Sequence, residues 1–152
     1  MDKNISVFDM FKIGVGPSSS HTLGPWKAAL HCLEEIAVQI GFHKVIAIDV
    51  LLYGSLAKTG KGHGTDMAVM MGLMGEDPIT TDTSTISLKL NNISTKQTIQ
   101  LKAQFPIVFI PEQHIQFLKE ASLPHHPNAL SFIVHTEHKD FVYTYYSIGG
   151  GF

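Results

Sequence analysis

Apolar residues in the first third of the chain recur at helical spacing. From Thr22 onward, Trp26, Ala29, Leu30, Leu33, Ile36, Ala37 and Ile40 follow one another every three or four positions, which predicts an amphipathic helix with one buried face. Gly41 is its natural stop. Pro25 does not disturb it, because a first-turn proline withholds an N–H that has no intrahelical partner, so the helix is expected to start within residues 20–22. Residues 45–53 are β-branched and aliphatic, with Ile46, Ile48, Val50 and Leu52 on one face and Ala47, Asp49 and Tyr53 on the other, as in a central strand. A glycine-punctuated loop is predicted over residues 54–64. It leads to a second helix in which Met67, Met70, Met71 and Met74 fall at i, i+3, i+4 and i+7 before Gly75. A flexible methionine stripe can serve as an adaptable binding surface, but at this spacing it reads as core packing.

After Pro78 the period shortens. Ile86, Leu88 and Leu90, then Ile99, Leu101 and Ala103, alternate with Ser, Lys, Gln and Thr, which predicts two half-buried strands joined by a turn opening at Asn91-Asn92. Residues 107–110 predict another short strand, and residues 112–119 a short helix started by Pro111. Residues 131–136 and 141–147 predict a hairpin around Glu137-His138-Lys139-Asp140. Helices come early and alternating strands late, so the expected class is α+β, a mostly antiparallel sheet with helices packed on one face. No internal repeat is visible, and residues 1–152 read as a single domain.

Composition narrows the picture. With 152 residues, 44% of them apolar and 16% charged, the chain has enough material for one proper core. A net charge of −2 without any basic run argues against nucleic acid or a polybasic membrane patch. No stretch reaches the roughly 18 apolar residues of a membrane span, and the opening residues, with Asp2 and Asp9, lack the apolar run of a signal peptide. A cytoplasmic protein is expected. The single cysteine, Cys32, excludes an internal disulfide, a tetracysteine zinc site or a chain-internal ligand set for an iron–sulfur cluster. Nine histidines are the only compositional hint of chemistry.

Three short segments could carry that chemistry. In Gly14-Val15-Gly16-Pro17-Ser18-Ser19-Ser20-His21-Thr22, hydroxyls and an imidazole stand at a helix start, where unpaired N–H groups and the dipole favour an anion. A serine cap with a surface histidine accounts for the same residues. In Gly60-Lys61-Gly62-His63-Gly64-Thr65-Asp66, alternating glycines let backbone approach a ligand closely. The segment equally suits a flexible connector capped by Thr65 or Asp66. It is not a nucleotide loop, since Gly62 and not Ser or Thr follows Lys61. In Pro124-His125-His126-Pro127-Asn128, prolines stiffen a polar loop that is either a preformed site or an ordinary turn. No His-x-x-x-His pair with a carboxylate partner supports a metal site in this chain.

The run Ser6-Val7-Phe8-Asp9-Met10-Phe11-Lys12-Ile13-Gly14, followed by Gly16 to Thr22 and then Gly24-Pro25, closely resembles the opening of the bacterial iron–sulfur L-serine dehydratases. The segment from Gly60 to Asp66, His126-Pro127-Asn128, and Tyr146-Ser147-Ile148-Gly149-Gly150-Gly151-Phe152 resemble later landmarks of that family in the same order. The resemblance implies the amino-terminal beta domain of an enzyme converting L-serine to pyruvate and ammonia. In that family a second, larger domain holds a four-iron, four-sulfur cluster through its own cysteines. This sequence stops where that domain would begin, so a fragment, inactive alone, is expected. On this resemblance His63 and His21 are the proton-transfer candidates, and Ser18, Ser19, Ser20, Thr22, Gly64, Thr65 and Asp66 contact substrate. The expected partners are L-serine, the cluster-bearing domain and a second copy in a homodimer. The chain is also similar to the allosteric substrate-binding domain of some phosphoglycerate dehydrogenases, which implies that His126 and Asn128 contact a small effector such as L-serine.

Overall fold

The structure, a computed structural model, describes residues 21–60, 64–119 and 128–146. The helix predicted from the periodicity after Thr22 is present as α1 (Leu23–Gln39) and buries Ala28, Ala29, Cys32, Leu33 and Ile36. The strand predicted next is β1 (Ala47–Tyr53), where Ile48, Val50 and Leu52 are fully buried and the alternate residues are not. Between β1 and the methionine helix stands α2 (Gly54–Gly60). The methionine helix itself is α3 (Thr65–Leu73), with Met70 and Met71 in the core as the stripe predicts.

A four-stranded sheet carries the fold, in the order β4-β1-β5-β6, with β4 (Ile115–Leu118), β5 (Asn128–His135) and β6 (Asp140–Tyr146). β1 pairs antiparallel with β5 (Val50 opposite Phe132), and β5 antiparallel with β6 (Phe132 opposite Tyr143). β1 pairs parallel with β4 (Val50 opposite Ile115), so the sheet is mixed, with antiparallel pairings in the majority. Across all four strands Ile115, Val50, Phe132 and Tyr143 stand in one row, on the face that α1 covers: Tyr143 donates to Gln39 Oε1 at 2.8 Å, and the Tyr145 ring meets His31 edge-on at 5.7 Å. Each fully buried Leu, Ile or Phe of this layer contributes about 1.5–3 kcal/mol relative to exposure. A separate hairpin joins β2 (Thr98–Leu101) and β3 (Phe105–Val108), with Ile99 opposite Ile107.

Several expectations need correction. Residues 86–90 are not a strand. They open α4 (Ile86–Lys96), and Asn91-Asn92 lie inside it. The helix wins because Ile86, Leu90 and Ile93, at i, i+4 and i+7, all turn inward, while Leu88 is left 63% exposed. Asp82 sets up its approach, accepting from Ser84 N–H at 3.0 Å in the 3₁₀ turn Thr83–Thr85. Ala103 belongs to the β2–β3 turn, with φ +60°, and not to a strand. The helix expected over residues 112–119 is a single turn, α5 (Pro111–His114), after which Ile115 enters β4, because parallel pairing with β1 buries it. The glycine-punctuated loop is largely α2, held by the burial of Leu56 and Ala57 beneath it.

Candidate functional site

The contacts of α1 with Tyr143 and Tyr145 fix its direction. From His31 to Gln39 it follows β6 from Tyr145 back to Tyr143, so the two run antiparallel. The N-terminus of α1 therefore comes to the end of the sheet where β1 finishes and β5 begins. The same end receives α2, whose first residue Gly54 forms an antiparallel bridge with Asn128.

The start of α3 is fastened to the start of α1. Thr65, fully buried, donates its hydroxyl hydrogen to the His21 carbonyl oxygen across 44 positions of sequence. Gly64 precedes it with φ +92°, and a Cβ there would lie 3.2 Å from Thr22 Cγ2. A side chain at 64 would meet both left-handed backbone strain and a methyl group. Further along, the two helices touch through Gly72, where a Cβ would come within 2.6 Å of Ala29 Cβ and of the Trp26 carbonyl oxygen. The Trp26 indole N–H donates to Glu76 O at 2.8 Å and closes the crossing.

Thus the structure brings together His21, Thr22, Gly64 and Thr65, from two of the three sequence segments. Thr65 does not cap its own helix; Gly64 occupies that position, and the Asp66 carboxylate accepts from the neighbouring Met67 N–H at 3.0 Å. Asp66 also borders a cavity of about 180 Å³ with Pro111, Glu112, Ile115 and Phe117. Asn128 stands at the start of β5, and its amide oxygen is buried without a hydrogen-bond partner among the described residues. Ser18, Ser19, Ser20, His63 and His126 lie outside the described residues. The half-buried His21 and Thr22 stand at the mouth of α1, and the positive ends of two helix dipoles meet there, a setting suited to a carboxylate. Farther along α1, away from this mouth, burial pushes Tyr143 up to about 12 and Tyr145 higher still. The link between Thr65 and His21 could not be found from sequence, because a buried threonine hydroxyl announces no distant carbonyl.

Among the described residues no three His, Cys, Asp or Glu side chains come close enough to hold an ion. Cys32, the sole cysteine, is enclosed in the core, and burial first, then the charge of Glu35, holds its thiol far above the ordinary range.

The family model described as the serine dehydratase beta chain matches residues 6–152. The chain belongs to that family. It is 40% identical over 151 residues to L-serine dehydratase 1 of Escherichia coli (strain K12), covering 97% of this chain and 33% of that protein. Identity is 42% over 151 residues with L-serine dehydratase 2 of the same organism, and 39% over 150 residues with L-serine dehydratase of Streptomyces coelicolor, with the same two shares covered. This beta-chain domain thus spans about a third of the length of the relatives it matches. The resemblance drawn from the opening motif is borne out at the level of the family.

Proposed function

We propose that this domain forms one wall of an active site that deaminates L-serine to pyruvate and ammonia, completed by a domain carrying a four-iron, four-sulfur cluster. The cluster's ligands come from that other domain. The observation that carries the proposal is the bond from Thr65 to the His21 carbonyl, which unites the serine–histidine and glycine–histidine segments at two helix starts. Deamination needs a base for the α-proton of serine and a donor set for its carboxylate. An imidazole suits the first task because its ordinary pKa lies near neutrality; hydroxyls and helix-start N–H groups suit the second. His63 and His21 are assigned the proton transfers, and Ser18, Ser19, Ser20, Thr22, Gly64, Thr65 and Asp66 the substrate contacts. The setting of this reading is a cytoplasmic homodimer; among the described residues no helix is long and apolar enough to cross a membrane.

The test uses the complete dehydratase. Replacing His63 with Ala is expected to lower kcat by about 10²- to 10⁴-fold, the usual worth of a positioned base. Near-normal turnover would remove His63 from that role, and the same measurement on His21→Ala assigns the other histidine.

One observation favours a second reading, a serine-sensing module. A buried carbonyl oxygen without a partner costs about 1–3 kcal/mol, and among the described residues the Asn128 amide oxygen has none. The ammonium group of an amino acid is a donor able to meet it, with His126 beside it in sequence.

A further inference from the structure

The end of the sheet away from Asn128 carries a charged cluster that serine chemistry does not use. Asp49 is the only charged residue of β1, His135 closes β5, and Asp140 opens β6. In the strand register Ala47 and Asp140 both stand opposite His135, so alternation puts Asp49, His135 and Asp140 on the same face, opposite the one α1 covers. His135 Nε2 lies 2.7 Å from Asp49 Oδ2, and His135 Nδ1 lies 2.8 Å from Asp140 Oδ1. A neutral imidazole carries one N–H, so one of these contacts would set a lone pair against a carboxylate. Only the imidazolium donates to both.

We infer that His135 is a proton-operated clasp: protonated, it ties β1 to β6 across β5, and on losing the proton it releases one carboxylate and loosens the hairpin end. Partial burial, the largest single influence, draws the imidazole pKa down, but the hydrogen bonds to Asp49 and Asp140 and their charges together outweigh it and leave it above the usual 6.5. A group with a raised folded-state value stabilises fully below the unfolded value and loses that contribution as pH rises through the folded one. The clasp is therefore closed in mild acid and opens as pH rises through that raised value.

Among the described residues the other charged groups around it leave the two carboxylates to His135. The Lys139 ammonium sits 4.8 Å over the Phe141 ring, which alternation puts on the opposite face. Glu137 and His138 are exposed in the turn, and His43 and Lys44 are exposed before β1. What the clasp governs is local: the His135 carbonyl accepts from Ile46 N–H at 2.8 Å, and Thr136 N–H donates to Lys139 O at 3.0 Å just beyond it. Opening therefore frees both the turn and the entry into β1.

The experiment is an NMR pH titration of the histidine ring protons in the 152-residue chain, with a histidine model peptide as reference, in the wild type, Asp49→Asn and Asp140→Asn. Amide exchange of Ile46, Thr136 and Asp140 is followed on both sides of the transition. The expected result is an upward shift of His135 relative to the peptide, reduced in each variant, and a loss of amide protection above the transition beyond the intrinsic pH dependence of exchange. A wild-type His135 that titrates with or below the peptide, or protection unchanged through its transition, overturns the clasp. The wild-type titration decides the matter even if a variant fails to fold.

Discussion

The two ends of the four-stranded sheet are finished in contrasting ways. At the hairpin end, His135 meets a carboxylate with each ring nitrogen, and the Thr136 hydroxyl donates to Lys139 O at 2.7 Å to close the turn. At the other end, the Asn128 amide oxygen is buried with no bond among the described residues, Gly64 holds a left-handed backbone, and two helix starts converge on His21 and Thr65. One end spends its polar groups on itself; the other keeps polar capacity in reserve, the usual compromise of a site against stability. The contrast teaches where to look for ligand chemistry, because polar atoms left without partners by folding are those a substrate can recruit.

The largest expected blow to this arrangement is Gly72→Ala. The added methyl would stand 2.6 Å from Ala29 Cβ and the Trp26 carbonyl oxygen, so α1 and α3 must separate. Overpacking of this kind costs about 1–3 kcal/mol, to be read from urea unfolding followed by the fluorescence of Trp26, the only tryptophan. Unchanged stability would mean that the helices cross more loosely, and that the site end does not depend on their contact.

Next in size is Thr65→Val, which keeps the shape and deletes the donor to the His21 carbonyl. A loss of about 1–2 kcal/mol is expected from deleting the hydrogen bond of the buried hydroxyl, together with reduced turnover in the complete enzyme. Full turnover in this variant would separate the two segments functionally and break the case for a joint site.

The smallest effect sharpens the contrast from the other side. Asn128→Leu removes an unbonded oxygen at little change in volume, so the isolated chain is expected to gain up to about 1 kcal/mol of stability. On the sensing reading, the same variant loses serine-dependent NMR shifts. A substantially destabilised variant would show that Asn128 is satisfied in solution and that the two ends are less different than their geometry.

Legibility in the sequence followed periodicity. α1, β1, α3 and the β5–β6 hairpin stand where three-to-four or two-residue spacing put them, α1 and β1 each burying one face and α3 and β5 buried more widely. Ile86-Ser87-Leu88-Lys89-Leu90 misleads because five residues suit both periods, and only the burial of Ile93 decides for the helix. Ile115–Leu118 hides its strand because its partner in β1 lies far back in the chain. The same holds at both ends of the sheet. Glycines and histidines marked the candidate segments, but neither the reach of Thr65 to His21 nor that of His135 to Asp49, 86 positions apart, leaves a local trace.

Cys32 carries a consequence of another kind. Its sulfur is wholly enclosed on the inner face of α1, with a thiol that resists ionisation, whereas alkylating reagents and oxidants attack the thiolate from solution. The folded chain therefore presents no reactive thiol, and the pace at which Cys32 is modified is set by how often the core opens. A single atom becomes a clock for unfolding, running at a rate that conformational fluctuation, and not redox potential, decides.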